Sequence, residues 1–169
     1  MTIKIGDTLP GGKLMEAAEF DEAAGCPMNP VEIDVAATCQ GKRIAVFALP
    51  GAFTPTCSAR HLPGYLAQHD ALKARGIDEI WCVATNDAFV MGAWGHAQKV
   101  GGRVRMLADG NAAWARALGL DLDLTARGMG VRLQRFSMLV DNGVVKQLNV
   151  EGPGEFKVSD AATLLGQLG

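Results

Sequence analysis

Residues 44–65 have the sequence IAVFALPGAFTPTCSARHLPGY. The apolar run 44–49 predicts a buried β-strand, and the Pro-Gly pair at 50–51 predicts the turn that ends it. Thr54 is typical of a helix N-cap. Pro55 suits the first helical position, because the N–H that proline lacks would have no partner there. This stretch therefore predicts a strand, a turn and a helix in direct succession.

Cys57 falls in the first turn of the predicted helix. Unpaired backbone N–H groups and the positive end of the helix dipole favour an anion at that position. A thiol placed there loses its proton more readily than an ordinary cysteine thiol, whose pKa is about 8.5, and the thiolate is the reactive form. The alternative is a buried structural cysteine, because free cysteine is among the most buried residue types. Cys57 is therefore the first candidate nucleophile.

The chain has 169 residues and a hydrophobic content of 49%, which predicts one globular domain over residues 1–169. Its 16 Lys and Arg against 18 Asp and Glu leave a net charge of −2, which does not indicate binding to nucleic acid or to an anionic membrane. Residues 1–7 lack the apolar core of a signal peptide, and no apolar run approaches the roughly 18 residues of a membrane span. These features predict a cytoplasmic protein.

The four cysteines stand at positions 26, 39, 57 and 82, and no two of them form a C-x-x-C pair. The dithiol motif of thioredoxins and the spacing of zinc ribbons are therefore absent from the sequence. The three histidines fit neither H-x-x-x-H nor H-E-x-x-H, so we predict no metal site. In the cytoplasm we expect these thiols to be mostly reduced.

Hydrophobic periodicity predicts alternating strands and helices after an extended N-terminal section. The predicted strands are 13–17, 31–36, 43–49, 77–84, 104–107, 132–140 and 144–150. The predicted helices are 57–75 with a kink at Pro63, one from Asn86 or Asp87 to about Gly101, 112–118, and one capped by Ser159 that runs to Leu168. Residues 16–30 and 120–131 are predicted to be irregular, and Asp141-Asn142-Gly143 predicts a type I′ hairpin. This order predicts an α/β fold with a mixed central sheet flanked by helices.

Arg135 lies in the predicted strand 132–140, on the same face as Leu133, Ser137 and Leu139. A guanidinium among leucines usually needs an anionic partner, and a thiolate could serve. The alternative is a solvated arginine on an edge strand. Arg132 is a competing candidate that lies nearer the end of the strand.

Thr54 precedes Cys57 by three residues, which is the spacing at which a capping hydroxyl faces the Cys57 N–H. Thr54 either caps the helix only or also donates to a ligand atom beside the sulfur. We expect Pro50 and Pro55 to fix the loop and to shield the thiolate from bulk water.

Several segments together resemble the type II (fifth-class) peroxiredoxins, over nearly the whole chain. They are PGAFTPTCS at 50–58, HLPGY at 61–65, NDAFVM at 86–91 with AW at 93–94, RFSM at 135–138, NG at 142–143 and NVE at 149–151. The resemblance implies a thioredoxin-like fold and thiol-dependent reduction of hydrogen peroxide and alkyl hydroperoxides, without a cofactor. It also implies a homodimer.

By the match to this family, Cys57 is the peroxidatic cysteine, whose thiolate attacks the peroxide and becomes a sulfenic acid. Pro50 and Thr54 match the P-x-x-x-T-x-x-C pattern, and Arg135 matches the strand arginine that completes the site. The Cys57 N–H, the Thr54 hydroxyl and the Arg135 guanidinium could stabilise charge on the departing oxygen.

The route that reduces the sulfenic acid is open. Cys82 stands where other members of the family place a second cysteine, but it lies within an apolar strand, so core packing is the alternative. Cys26 and Cys39 are weaker candidates for a resolving cysteine. We therefore expect an external thiol, either glutathione with glutaredoxin or thioredoxin, to attack Cys57 directly.

Four further side chains border the predicted site. His61 could face Cys57 from one helical turn away, either as a general base or as a packed histidine. Phe53, Phe89 and Trp94 could form apolar walls of the site, a dimer contact or plain core.

Two other functions are compatible with a reactive Cys57. A peroxide sensor would pass its oxidation to a partner protein without rapid turnover. A thiol–disulfide oxidoreductase is disfavoured, because the chain has no C-x-x-C pair.

Overall fold

A seven-stranded mixed sheet forms the centre of the fold in the computed structural model, which describes residues 1–168. The strands of the chain are β1 (Lys13–Glu16), β2 (Glu19–Asp21), β3 (Cys26–Met28), β4 (Val31–Asp34), β5 (Arg43–Ala48), β6 (Glu79–Ala84), β7 (Arg105–Ala108), β8 (Asp121–Asp123), β9 (Val131–Leu133), β10 (Phe136–Asp141) and β11 (Val144–Val150). The sheet order is β11-β10-β5-β6-β7-β1-β4. The central strands β5, β6 and β7 are parallel and the flanking strands are antiparallel, which confirms the predicted mixed sheet.

Helices cover both faces of this sheet. They are α1 (Val35–Cys39), α2 (Leu62–Ala67), α3 (His69–Ala74), α4 (Ala88–Ala97), α5 (Ala113–Leu118) and α6 (Ala161–Gln167). On one face of the sheet, side chains of α2, α3, α4 and α6 form a core with every second residue of β5 and β6. On the other face, side chains of α1 and α5 form a second core with the intervening residues of the same two strands. None of the helices in residues 1–168 has the length and apolarity needed to cross a bilayer.

The helix after β5 begins with helical residues 55–56 and widens into a π-helical turn, Cys57–His61. The N–H of Leu62 donates to the carbonyl of Cys57, five residues earlier. Pro63 has no N–H to give to the preceding turn, which is why a regular α-helical pattern is interrupted near it. The irregularity predicted at Pro63 therefore lies one turn earlier, at Cys57 itself.

Two β-hairpins include residues that were predicted to be irregular: β2, β3 and β8 lie in such segments, whereas β9 lies mostly in the strand predicted over 132–140. The strands β2 and β3 pair within residues 16–30, and β8 pairs with β9 around a 3₁₀ turn, Thr125–Arg127. Strands of three residues are too short to show a period of two, so the sequence pattern did not reveal them.

Several boundaries differ from the prediction, and three of the differences involve a cap or a break in a strand. The strand predicted over 31–36 ends at Asp34, whose side chain caps α1 by accepting from the Ala37 N–H at 2.9 Å. The last helix is capped by Asp160 rather than by Ser159. The strand predicted over 132–140 is broken between β9 and β10.

Candidate active site

The side chain of Cys57 is fully buried and contacts Arg135. Nη2 of Arg135 donates to Sγ of Cys57 at 3.2 Å, although the two residues are 78 positions apart. Cys57 lies at the carboxyl end of β5, and Arg135 immediately precedes β10, which pairs with β5. The fold thus brings the predicted thiol and the predicted cation together.

Arg135 lies in the break between β9 and β10, and its carbonyl accepts from the Glu151 N–H at 2.9 Å. The break changes the phase of the alternation, so Leu133 and Leu139 pack in the two different cores. The predicted common face for Leu133, Arg135, Ser137 and Leu139 is therefore wrong for Leu133, whereas Leu139 packs in the core that contains Cys57, the partner of Arg135.

The Thr54 hydroxyl donates to the Gly51 carbonyl at 2.7 Å and closes the turn after β5. Among residues 1–168 the structure has no hydrogen bond between this hydroxyl and the Cys57 N–H, contrary to the spacing argument. The Ser58 N–H, one residue further on, donates to the Thr54 carbonyl at 2.9 Å. Thr54 thus remains beside the first helical turn and keeps its oxygen lone pairs available for a ligand.

Two residues outside the motif hold the loop in place. Arg132 donates from Nη1 to the Pro50 carbonyl at 2.9 Å, and Asn86 accepts from the Ala52 N–H at 2.9 Å. A Cβ atom at Gly51 would lie 2.5 Å from Nη1 of Arg132, so a larger residue there would move the end of the Arg132 side chain away from the Pro50 carbonyl. Arg132, the competing candidate, binds the loop and not the sulfur.

His61 is fully buried. The structure of residues 1–168 shows no hydrogen bond between His61 and Cys57. Its Nδ1 lies 2.9 Å from Nη1 of Arg135, and its Nε2 lies 3.0 Å from the Ser159 carbonyl. Burial and the neighbouring Arg135 charge lower the pKa of His61 to about 3, so the ring is neutral. The His61 side chain therefore supports Arg135. Sequence reasoning missed this role because the contact with Ser159 spans 98 residues and no local pattern indicates it.

Cys82 lies in the middle of β6 and is fully buried. It shares the core on the α2 side with Cys57, and burial raises the pKa of the Cys82 thiol well above its usual value. All four cysteines are free thiols; burial raises the pKa of Cys39 to about 11, and Cys26 is half-buried in β3. A thiol that keeps its proton is a poor nucleophile towards a sulfenic acid.

A cavity of about 420 Å³ opens beside the loop. Its lining includes Pro50, Thr54 and Arg135 together with an apolar wall that contains Leu124 and Met129. Cys57 is not among the described residues that line it, but its sulfur contacts Arg135, which does. No three His, Cys, Asp or Glu side chains in residues 1–168 are arranged to hold a metal ion.

The three predicted aromatic walls divide into two groups. Trp94 is buried and donates from Nε1 to the Ser58 hydroxyl at 3.0 Å, so it packs behind the active-site helix. Phe53 and Phe89 are 58% and 49% exposed. They therefore form surface close to the loop instead of core.

The Redoxin family model matches residues 4–165 of the chain. Peroxiredoxin-2D of Arabidopsis thaliana is 42% identical over 98% of this chain and 98% of its own length. The crystal structure of reduced Prx3 from Vibrio vulnificus in complex with hydrogen peroxide superimposes with a TM-score of 0.90, at 47% identity, covering 99% of this chain and 100% of that one. The crystal structure of a Burkholderia cenocepacia protein, described provisionally as a thioredoxin reductase, superimposes with a TM-score of 0.93. It is 54% identical, and the match covers 100% of this chain and 99% of that one.

These matches span nearly all of the chain, and the superpositions confirm the thioredoxin-like α/β fold. The relatives named as peroxiredoxins share the whole domain and not only the segment around Cys57. The chain therefore belongs to the peroxiredoxins of the Redoxin family.

Proposed function

We propose that this protein is a thiol-dependent peroxidase that reduces hydrogen peroxide and alkyl hydroperoxides through Cys57. The observation that carries the proposal is the 3.2 Å contact between Nη2 of Arg135 and Sγ of Cys57 at the start of a helix. A fixed positive charge at that distance favours the thiolate, the form that attacks peroxide. The peroxiredoxin relatives support the same reaction class.

In the proposed reaction the Cys57 thiolate attacks one peroxide oxygen. An S–O bond forms and the O–O bond breaks, so sulfur is oxidised by two electrons and the peroxide is reduced by two. The departing oxygen leaves as water or an alcohol after it takes up a proton. Arg135 can stabilise the negative charge that develops on that oxygen, and the Thr54 hydroxyl, which donates its proton to the Gly51 carbonyl, can accept a hydrogen bond from the peroxide.

We propose that the substrate enters through the cavity beside Pro50 and Thr54. Because Cys57 is fully buried, the turn that contains it has to open slightly to expose the sulfur. The π-helical turn Cys57–His61 is the segment suited to such a movement, because its hydrogen bonds are less regular than those of an α-helix. The apolar part of the cavity wall could receive the alkyl part of an organic hydroperoxide.

We further propose that an external thiol reduces the sulfenic acid, either glutathione with glutaredoxin or thioredoxin. The external thiol attacks Cys57 and releases water, and a second thiol then breaks the mixed disulfide and restores Cys57. The fully buried Cys82, whose thiol keeps its proton, supports this route over an internal disulfide.

A homodimer and a cytoplasmic location are also part of the proposal. The exposed Phe53 and Phe89 support a dimer, because their segments meet where Asn86 accepts from the Ala52 N–H. Two large aromatic side chains on adjoining segments form an apolar surface that a second copy could cover.

Steady-state peroxide consumption tests the proposal, with glutathione plus glutaredoxin and with thioredoxin plus its reductase as separate reducing systems. The wild-type protein and the variants Cys57→Ser and Cys82→Ser are compared. We expect turnover of the wild type with at least one system, none for Cys57→Ser, and a rate within about twofold of wild type for Cys82→Ser.

Two results would change the proposal. A wild-type protein that consumes a single equivalent of peroxide and then stalls would be a sensor instead of a peroxidase. A folded Cys82→Ser variant without turnover in both systems would make Cys82 the resolving cysteine.

A further inference from the structure

The carboxylate of Glu151 is buried but fully satisfied. It accepts hydrogen bonds from the backbone N–H groups of Lys157, Val158 and Ser159 and from the Ser159 hydroxyl, at 2.7 to 2.9 Å. Burial alone would raise the pKa of Glu151, but these donors outweigh it and hold the pKa below its usual value. Glu151 is therefore an ionised carboxylate around which the segment 157–159 is folded.

This folding places the carbonyl of Ser159 between two side chains of the active-site helix. The carbonyl lies 3.0 Å from Nε2 of His61 and accepts from the Tyr65 hydroxyl at 3.1 Å. The segment after β11 is thus joined to the helix that contains Cys57 through one backbone oxygen.

The contacts of His61 define its tautomer. A guanidinium has no acceptor, so Arg135 must donate to Nδ1 of His61. The proton of the neutral ring is then on Nε2, where it is donated to the Ser159 carbonyl. The Ser159 carbonyl thereby keeps the lone pair of Nδ1 directed at Arg135.

Arg135 is consequently held at both ends of its planar guanidinium. Nη1 binds His61, and Nη2 binds Sγ of Cys57. None of the ion pairs within residues 1–168 includes Arg135. Its support is a neutral imidazole, so its positive charge is not offset by a paired carboxylate and acts on the sulfur.

We infer that Glu151 is a positioning residue for the Cys57 thiolate, acting through the Ser159 carbonyl and His61 on Arg135. The inference rests on the proposed function only in taking Cys57 as the reacting thiol. Glu151 is one of the residues that line the cavity, but no hydrogen bond in residues 1–168 joins it to Cys57, and its carboxylate is occupied by the four donors. Its effect on Cys57 is transmitted by the orientation of Arg135.

The test compares Glu151→Gln with Asp109→Asn. Glu151→Gln removes the charge around which the segment 157–159 is folded. Asp109→Asn is the matched control, because the buried Asp109 carboxylate also accepts from backbone N–H groups, those of Trp114 and Ala115, but is not part of the chain of contacts to Arg135. The first readout is the ultraviolet absorbance of the Cys57 thiolate near pH 7, measured against Cys57→Ser. Burial raises the pKa of Cys39 and Cys82, so these thiols contribute little to the signal.

The second readout is the rate of the first reaction with hydrogen peroxide, measured without reductant. For Glu151→Gln we expect the thiolate signal to fall and the rate to drop about tenfold, the equivalent of one well-placed hydrogen bond. Asp109→Asn should stay within about twofold of wild type in both readouts. If Glu151→Gln does not fold, Glu151→Asp replaces it, because it keeps the charge but draws the carboxylate back by one methylene.

A folded Glu151 variant with a wild-type thiolate signal and a wild-type rate would overturn the inference, even if its free energy of unfolding is lower. Failure of the proposed function would look different. In that case the wild type itself would not react with peroxide, while the thiolate signal would still show whether Glu151 acts on Cys57.

Discussion

Nη2 of Arg135 lies 3.2 Å from Sγ of Cys57, and Nη1 of the same guanidinium lies 2.9 Å from Nδ1 of His61. The sulfur and the imidazole therefore share one planar cation. Only arginine presents two parallel donors from a rigid plane, so this arrangement cannot be reproduced by another cationic side chain.

Arg135→Lys should lower the rate of the first reaction with peroxide about 10²-fold. The ammonium group keeps the charge, but a single nitrogen cannot hold both His61 and the sulfur in fixed directions. Rapid-mixing kinetics with hydrogen peroxide measure the rate. Arg116→Lys is the matched control, because Arg116 is exposed and, among residues 1–168, its side chain donates only to the Asn111 carbonyl. Equal rates for the two variants would argue against a role for the guanidinium geometry.

Thr54→Val should lower the same rate about tenfold with little effect on folding. Valine has nearly the shape of threonine but has no hydroxyl, so the bond to the Gly51 carbonyl and the acceptor available to a peroxide are lost together. The rate and the free energy of unfolding are measured on the same samples. The matched control is Thr38→Val, because the Thr38 hydroxyl also donates to a backbone carbonyl but lies in α1, on the other face of the sheet. A Thr54→Val variant with the wild-type rate would limit Thr54 to a structural role.

The stability of the protein should depend on pH through His61. Burial and the Arg135 charge lower the pKa of His61 to about 3, whereas the unfolded chain has the ordinary value of 6.5. Below pH 6.5 the unfolded state binds a proton that the native state excludes. The stability contributed by neutral His61 is therefore present above pH 6.5 and is lost as the pH falls towards 3.

Urea unfolding between about pH 7 and pH 5 measures this dependence. Below pH 6.5, His61 should lower the free energy of unfolding by up to about 1.4 kcal/mol for each pH unit that the pH falls. His61→Gln, which cannot take up the proton, should lose that part of the slope. His96→Gln, on the surface at the end of α4, should retain it. Identical slopes for the two variants would show that His61 is not the group excluded from protonation.

Phe89→Asp should shift the protein from dimer to monomer. Phe89 is 49% exposed, and a charge in the middle of a buried apolar contact raises the dissociation constant by at least about tenfold. Sedimentation velocity over a range of concentrations measures the equilibrium. Ile5→Asp is the control, because Ile5 is 57% exposed beside β11, at the edge of the sheet away from α4, which packs against β7 and β1. A dimer that survives Phe89→Asp, or a monomeric wild type, would remove this surface from the proposal.

The sequence predicted the central part of the fold because its signals there are local. The strand before Pro50, the helix start at Pro55 and the cap at Asp87 each depend on residues within one or two turns, and each is present in the structure. The hairpin at 141–143 is likewise present, with φ of 48° at Asn142 and 80° at Gly143, as a type I′ turn requires.

The remainder depends on contacts that are distant in sequence. His61 meets Ser159 across 98 residues, and no periodicity within either segment indicates that pairing. The break between β9 and β10, which contains Arg135, reverses the face on which Leu133 packs. Counting alternate residues through this break therefore placed Leu133 on the wrong face. The fully buried strand β6 gives no alternation at all, and its pattern alone could not show that Cys82 faces the core beside Cys57.

We propose that peroxide oxidises Sγ of Cys57. Mass spectrometry of the protein after one equivalent of hydrogen peroxide tests this directly. The reaction is run without reductant, the sulfenic acid is trapped with dimedone, and the peptides are separated. We predict a single trapped adduct on the peptide that contains Cys57, and none in Cys57→Ser. First oxidation at Cys26 or Cys82, with Cys57 unmodified, would contradict the account.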